Sequence, residues 1–391
     1  MSFKYPLASF TWDQNEYAAL QRVIDSNMFT MGEKVAQFER DFSIFTGSRY
    51  SVMVNSGSSA NLAMIAALFY VQIGPYKLSR GDEVIVPAVS WSTTYSPLYQ
   101  YGLKMKFVDI DLQTLNMDVN AVKNSIGPKT KAILAVNLLG NPCELEILRA
   151  IAQENNLILL EDNCESLGAT LNGKQCGTFG LMGTYSSFFS HHISTMEGGV
   201  ICTDDEELYQ ILLCIRAHGW TRNLPEENMI AGRKSIDPFE ESFKFVLPGY
   251  NIRPIEMAGA LGIEQVKKLP SLIHERQKNG QLWQEKMVEN PNILIQKEVG
   301  SSSWFGFSMV IRSESKLKRP ELIKKLNHHG FECRPIVAGN FAKNPVVKRY
   351  FDYEIYGSLE NASHIDSHGL FIGNQHYPIS DAIEFISTLE M

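Results

Sequence analysis

The chain has 391 residues, of which 44% are hydrophobic and 20% are charged, and its formal net charge is −7 at pH 7. This composition is typical of a globular protein, and the length favours one large domain beside a smaller one. The net negative charge argues against nucleic acid and against an anionic membrane surface as partners. The longest apolar run, residues 62–71, is too short for a membrane-spanning helix.

The N-terminus and the cysteines carry no signal for export or for metal binding. Residues 1–6 include no apolar h-region, so we expect no secretory leader. The cysteines form no CxxC pair, so neither a metal site nor an iron–sulfur cluster is expected. Reduced thiols and a cytoplasmic location are therefore predicted. The cysteines occupy positions 143, 164, 176, 202, 214 and 333.

The first part of the chain alternates short apolar segments with helical patterns. Helices are predicted over 13–26 and 32–46. The strands predicted after them are 50–55, 83–86, 106–109, 132–137, 157–161, 181–187 and 198–203. The helices predicted between them are 58–70, 92–101, 118–125 and 143–155, with 205–217 after the last strand. This alternation is typical of βαβ units, and it predicts an α/β fold with a mostly parallel sheet.

The pattern changes after residue 220. Residues 221–243 are polar and aperiodic, which predicts a long surface excursion. A helical pattern then covers about 255–289, with a break expected near Pro270. Strands over 304–312 and 331–335, a helix over 319–329 and two closing helices suggest a small α+β unit. We therefore expect a large domain over residues 1–250 and a small C-terminal domain over 251–391, joined by the long helix.

Polar residues cluster where three of the predicted strands end. These clusters are Asn55–Ser59, Val89–Thr94 and Glu161–Glu165. Ligands of open α/β sheets bind outside the carboxyl ends of strands. The three clusters are therefore expected to line one crevice.

Each cluster offers a binding group, and each has an ordinary structural interpretation too. Gly57 and Ser58 precede a helix, where backbone N–H groups suit a phosphate, although Ser58 as a simple helix cap is equally compatible. Asp162 can keep a ring nitrogen protonated, or it can form a structural salt bridge. Trp91 can stack on a flat ligand, or it can be a core residue.

Several motifs, in order along the chain, resemble those of the sugar-nucleotide aminotransferases that use pyridoxal 5′-phosphate (PLP) on the fold-type I scaffold. The matching segments are Thr30–Glu39, Ser56–Ala60, Gly81–Pro87, Asn141–Pro142, Glu161–Asp162, Ser186–Gly199 and Leu247–Arg253. The resemblance implies that Asp162 binds the pyridine nitrogen and that Trp91 stacks on the ring.

The same resemblance implies how the cofactor phosphate is held and how many subunits are needed. Gly57, Ser58 and Ser186 would bind the phosphate from one subunit. Asn251 would complete this site from the neighbouring subunit, so a homodimer with shared active sites is implied. Two roles stay open for Glu165, which replaces the family's usual glutamine: a contact with the cofactor's phenolic oxygen, or a structural hydrogen bond.

The chain departs from the family at the position of the catalytic lysine. Counting back six residues from Glu197 gives His191, and no lysine occurs between Lys174 and Lys234. An imidazole cannot form the covalent link that a lysine amine forms with the cofactor's aldehyde. The cofactor, as PLP or pyridoxamine 5′-phosphate (PMP), is therefore expected to be held noncovalently. Histidine remains a competent acid–base near neutral pH.

Within this family, histidine at the lysine position marks a dehydratase branch. The resemblance then implies removal of the C3 hydroxyl of GDP-4-keto-6-deoxy-D-mannose with release of ammonia, and PMP regenerated from L-glutamate. His191 would be the catalytic acid–base, and His192 a supporting or packing residue. His218, Arg222 and Arg334 are candidate contacts to the GDP-sugar or to the donor carboxylate. Two alternatives stay open: a conventional 4-aminotransferase with a lysine from elsewhere, and a non-catalytic relative.

Overall fold

The computed structural model describes residues 3–389, and an eight-stranded sheet forms its centre. In spatial order the strands are Tyr50–Val54, Gly199–Thr203, Met182–Ser186, Ile158–Asp162, Thr130–Val136, Glu83–Pro87, Lys104–Val108 and Tyr353–Ile355. Only Gly199–Thr203 runs antiparallel to its two neighbours among these strands. The prediction of a mostly parallel sheet is confirmed.

Helices cover this sheet, and their positions follow the predicted alternation. They are Gln14–Ser26, Glu33–Thr46, Gly57–Ala67, Ser92–Gln100, Val119–Ser125, Leu145–Glu154 and Glu206–Arg216, with a 3₁₀ turn at Leu138–Gly140. Because helices cover a parallel sheet on its faces, the residues of its strands are largely buried. The strand Ile158–Asp162 is an example, since all five of its residues are buried.

The helix Gly57–Ala67 is largely buried and places one end at the crevice. Eight of its eleven residues are buried, because alanine, methionine and isoleucine leave no polar face outside its first turn. It packs between the sheet and the helix Glu206–Arg216. A helix with so large an apolar surface must be enclosed, and this fixes where its N-terminus points.

The long connecting helix runs without interruption from Glu256 to Met287, so the break predicted near Pro270 is wrong. Proline has no N–H to donate to the carbonyl of Val266, which normally ends or kinks a helix. The pyrrolidine ring is exposed here, whereas Leu269 and Ile273 beside it are buried. Burial of this apolar face stabilises the helix despite the lost hydrogen bond.

The polar excursion contains more structure than its composition predicts. It forms a two-stranded hairpin, Glu227–Asn228 with Gly232–Arg233, and a short helix, Pro238–Glu241. A second small hairpin pairs Thr170–Leu171 with Lys174–Gln175. Among residues 3–389, no helix has the length and apolar character to cross a membrane.

The C-terminal part builds a second, four-stranded sheet with its own core. Its strands, in spatial order, are Ile293–Leu294, Gly306–Ile311, Gly369–Gly373 and Cys333–Arg334. Its helices are Arg319–His328, Pro345–Tyr350, Glu360–His368 and Ser380–Thr388, with a 3₁₀ turn at Phe341–Lys343. The strand Tyr353–Ile355 leaves this unit and joins the edge of the central sheet. The boundary at residue 250 stays a prediction.

Candidate active site

A cavity of about 410 Å³ opens at the carboxyl ends of the central strands. The three polar clusters that follow these strands all contribute to its lining, as the sequence predicted. Of the predicted site residues, those that line the cavity are Gly57, Ser58, Trp91, Asp162, Glu165, Ser186 and His191.

One wall of the cavity is the N-terminus of the helix that begins at Gly57. A Cβ atom at Gly57 would lie 2.7 Å from the Cβ of Ser186, so only glycine fits. Ser56 caps the helix by accepting a hydrogen bond from the N–H of Ser59 at 3.1 Å. The Ser58 hydroxyl, free of the capping role, donates to the Thr93 hydroxyl at 3.1 Å. Backbone donors at this helix end and two serine hydroxyls form a cup suited to a phosphate.

Asp162 is buried at the floor of the cavity and is oriented by three donors. Its Oδ2 accepts hydrogen bonds from the Asn61 amide and from the Thr94 hydroxyl, both at 2.8 Å. Its Oδ1 accepts from the backbone N–H of Cys164 at 3.1 Å. Donors on both oxygens fix the orientation of this carboxyl group, so that it can contact a ring nitrogen. Sequence reasoning missed Asn61 and Thr94 as the residues that orient this carboxylate.

His191 reaches the cavity from the loop between the strands Met182–Ser186 and Gly199–Thr203. Its Nδ1 is enclosed and has no hydrogen-bond partner among the described residues. The ring packs against Phe305, with 5.2 Å between the ring centroids. Burial, and secondarily the positive charge of Arg276, lowers the pKa of His191 to about 4. At neutral pH the imidazole is therefore uncharged and able to accept a proton.

His192 points away from the cavity. It is 1% exposed, and its Nε2 is 3.0 Å from the carbonyl oxygen of Ser303. Burial also lowers its pKa well below the ordinary value. This placement supports the prediction that His192 has a packing role.

Glu165 and Trp91 both line the cavity but differ in their surroundings. Glu165 accepts a hydrogen bond from the N–H of Leu139 at 2.9 Å. Burial raises the pKa of Glu165 to about 7, and the charge of Asp162 adds to this effect. Trp91 is 58% exposed, so it is not a core residue and its indole is available for stacking. Cys164 and Glu197, which were not predicted as site residues, also line the cavity.

Four predicted site residues lie outside this lining. Asn251 is exposed, and its side-chain oxygen accepts from Arg253 at 3.0 Å. The Arg222 guanidinium lies over the Trp220 ring at 4.6 Å, and His218 packs beside the same ring. Arg334 pairs with Glu332 at 2.9 Å. The roles of Asn251, Arg222, His218 and Arg334 stay predictions.

The residues present fit a phosphorylated aromatic cofactor with a basic ring nitrogen. The cup at Gly57 admits no side chain, Asp162 offers a fixed carboxylate, and His191 has an unpartnered nitrogen beside them. Residues 11–378 match the DegT/DnrJ/EryC1/StrS aminotransferase family. The chain belongs to this family. Its PLP-dependent aminotransferase fold, expected from the motifs, is confirmed by solved structures.

One relative found by sequence and two solved structures of similar proteins are informative. The GDP-4-keto-6-deoxy-D-mannose 3-dehydratase of Yersinia pseudotuberculosis is 63% identical over 97% of this chain and 96% of that protein. A structure of the Escherichia coli GDP-4-keto-6-deoxy-D-mannose-3-dehydratase with bound hydrated PLP has a TM-score of 0.97 at 58% identity and covers 99% of both chains. A 3-dehydratase with a trapped PLP-glutamate geminal diamine has a TM-score of 0.96 at 58% identity, covering 98% of this chain and 99% of that one.

Proposed function

We propose that the protein is a PLP- and PMP-dependent 3-dehydratase that removes the C3 hydroxyl of GDP-4-keto-6-deoxy-D-mannose. The product is GDP-4-keto-3,6-dideoxy-D-mannose, and L-glutamate supplies the two electrons and the nitrogen that leaves as ammonia. The observation that carries this proposal is His191 in a cofactor cavity whose described lining contains no lysine. The 63% identical relative of this name supports it.

The cofactor supplies, when bound, an amine for the sugar ketone and a ring that accepts electrons while the C3 hydroxyl departs. The chain's own residues hold it noncovalently. Gly57, Ser58 and Ser186 bind the phosphate, and Trp91 covers the ring. Asp162 keeps the ring nitrogen protonated, since its carboxylate is fixed by two side chains and one backbone N–H.

His191 moves the protons. Because it is neutral at physiological pH, it can take a proton from the carbon next to the cofactor ring. The imidazolium formed can then give a proton to the departing C3 hydroxyl, which leaves as water. A lysine at this position would also return a proton to the sugar and complete an amino transfer. Histidine therefore favours deoxygenation over amination.

We further propose a homodimer in which each site needs both copies. Asn251 is exposed and lies outside the cavity of its own chain. A second copy would bring its Asn251 to the phosphate, and His218 and Arg222 to the substrate diphosphate. Arg334 is close in sequence to Val337, which lines the cavity. This neighbourhood supports its proposed contact with the donor carboxylate.

The test is to incubate the purified protein with PLP, GDP-4-keto-6-deoxy-D-mannose and L-glutamate, and to measure ammonia and the sugar product. Equal amounts of ammonia and of a 3-deoxy sugar are expected. A 4-amino sugar without ammonia would show an aminotransferase instead. Cofactor binding with no turnover would show a non-catalytic relative. Borohydride treatment of the PLP-loaded protein should leave no covalent lysine adduct.

A further inference from the structure

The connecting helix carries a buried positive charge with no carboxylate partner among the residues that the structure describes. Arg276 is 2% exposed, and among residues 3–389 no carboxylate lies within ion-pair distance of it. Burial lowers its pKa to about 10, so it is still charged at neutral pH. An unpaired buried charge is costly, and a neutral side chain of similar size would fill the space without that cost. Arg276 is therefore a candidate for a role beyond packing.

Arg276 uses this charge to hold the short segment Ser303–Phe305 and the neighbouring Asn374. Its Nη1 donates to the carbonyl oxygens of Trp304 at 3.4 Å, Phe305 at 3.2 Å and Asn374 at 2.8 Å. The Asn374 amide in turn donates to the Trp304 carbonyl at 2.8 Å. Trp304 has a φ of 47°, in the left-handed region that a tryptophan seldom adopts. The segment therefore depends on outside contacts for its conformation.

The other side of this segment supports the two histidines. The Phe305 ring lies 5.2 Å from the His191 ring and 5.9 Å from the His192 ring. The Ser303 carbonyl oxygen is 3.0 Å from Nε2 of His192. Arg276 and His191 are thus joined through a single backbone segment.

We propose that Arg276 is a positioning residue for His191, holding Ser303–Phe305 so that the imidazole keeps its orientation and stays uncharged in the cavity. The inference rests on the proposed role of His191 as the acid–base. Next to burial, the charge of Arg276 is the other cause that lowers the pKa of His191. It acts on His192 in the same direction.

Other titratable groups surround His191 and are present in every variant compared. His192 is adjacent in the chain, and the shared cavity contains Asp162, Cys164, Glu165 and Glu197. A change seen only when Arg276 is altered is therefore assigned to the guanidinium.

Two variants separate charge from geometry. Arg276→Gln removes both the charge and the guanidinium fork, whereas Arg276→Lys keeps the charge and loses the fork. Met287→Ala is the matched control, because Met287 is also fully buried on the same helix, in the core of the second sheet. The first measurement is the pH titration of ring-labelled histidines by NMR in cofactor-free protein, with His191→Asn used to assign the His191 signal.

In Arg276→Gln, the pKa of His191 should rise by about one unit or more. The acidic limb of kcat/KM should move upward in pH by the same amount. The kcat for ammonia release should fall about tenfold or more, with KM and cofactor affinity little changed. Arg276→Lys should keep the titration near that of the wild type and recover kcat in part. Met287→Ala should lose stability but change neither the pKa of His191 nor the kcat for ammonia release.

The proposal is overturned if Arg276→Gln folds but leaves both the pH titration of His191 and the kcat for ammonia release unchanged. If neither Arg276 variant folds, Phe305→Leu decides: a shifted His191 signal with reduced kcat supports the proposal, and no change in either refutes it. Failure of the wild type to release ammonia would reject the proposed function. The titration of His191 would still test Arg276 in that case.

Discussion

At the scale of single residues, the chemistry depends on what a side chain can do with an aldehyde and a proton. A lysine amine can bond to the aldehyde and also carry protons, whereas the imidazole of His191 can only carry protons. The protein lowers the pKa of this imidazole to about 4 by burying it, which keeps it ready to act as a base. A change at this one position therefore alters the expected reaction while the cofactor cavity stays the same.

His191→Asn tests this role directly. Asparagine has a similar polar shape but cannot accept the proton, so ammonia release should fall by about a hundredfold or more. Cofactor binding, followed by absorbance, should stay within about threefold of the wild type, since the cup and Asp162 are untouched. His364→Asn, in the second unit, is the control and should be fully active. Loss of cofactor binding in His191→Asn would contradict the proposed role.

The lowered pKa of His191 also predicts how stability depends on pH. The unfolded chain binds a proton near the ordinary value of 6.5, but the folded chain binds it only near 4. The unfolded state thus holds more protons between these values, so folding is destabilised as pH falls through 6.5 towards 4. Glu165, with its raised pKa, acts in the opposite direction.

A comparison with His191→Asn isolates the histidine, because Glu165 and His192 contribute to both proteins. Urea unfolding of the cofactor-free proteins should be measured at pH 7.5 and pH 5. The wild type should lose about 2 kcal/mol more than His191→Asn over this interval. Equal losses would mean that His191 is not buried as a neutral group.

At the scale of elements, the cavity depends on how closely a helix end approaches a strand. The helix Gly57–Ala67 begins where the strand Met182–Ser186 ends, and the Ser186 side chain leaves no room for a side chain at Gly57. Rigid strands and a buried helix hold this contact in place. The loop with His191 can then be positioned against a fixed phosphate cup.

Gly57→Ala should therefore disrupt cofactor binding more than folding. The new methyl group would lie 2.7 Å from the Cβ of Ser186, so the helix end must move away from the phosphate. We expect PLP affinity to fall about tenfold or more, measured by equilibrium titration. Gly127→Ala is the control, because the nearest atom to its Cβ would be 3.6 Å away. Unchanged affinity in Gly57→Ala would argue against this cup as the phosphate site.

At the scale of the whole molecule, the proposed active site is divided between two copies. The cavity of one chain contains the cup, Asp162 and His191, while Asn251 is exposed outside it. If a second copy supplies Asn251, as proposed, activity depends on assembly, because a lone copy would have an incomplete phosphate site.

Mixing two inactive variants tests this division. His191→Asn lacks the base, and Asn251→Asp places a negative charge against the cofactor phosphate. In a mixed dimer one site carries both defects and the other carries neither. Unfolding and reassembly of an equal mixture should recover about one quarter of wild-type activity, because half of the dimers are mixed and each has one intact site. No recovery above the separate variants would show that the sites are not shared.

Most of the strands and helices, and the position of the crevice, could be predicted from the sequence, because local patterns of residues indicate them. The alternation of strands and helices and the glycine at the helix start are short-range features, whereas His191 was selected by its position in a motif that resembles the family's lysine motif. Hydrophobic periodicity and backbone geometry act over a few residues, so they can be read from neighbours in the chain. The polar clusters at strand ends predicted the crevice for the same reason.

Only the tertiary structure decided which residues, distant in the sequence, support the side chains of the active site. Asn61 and Thr94 orient Asp162, and Arg276 reaches His191 through Phe305. The continuity of the helix through Pro270 likewise depends on a buried face that packing creates. Amide, hydroxyl and guanidinium groups are common throughout the sequence, and no local pattern marks the few that folding brings together. Their roles follow from contacts across the chain, which only the packed molecule defines.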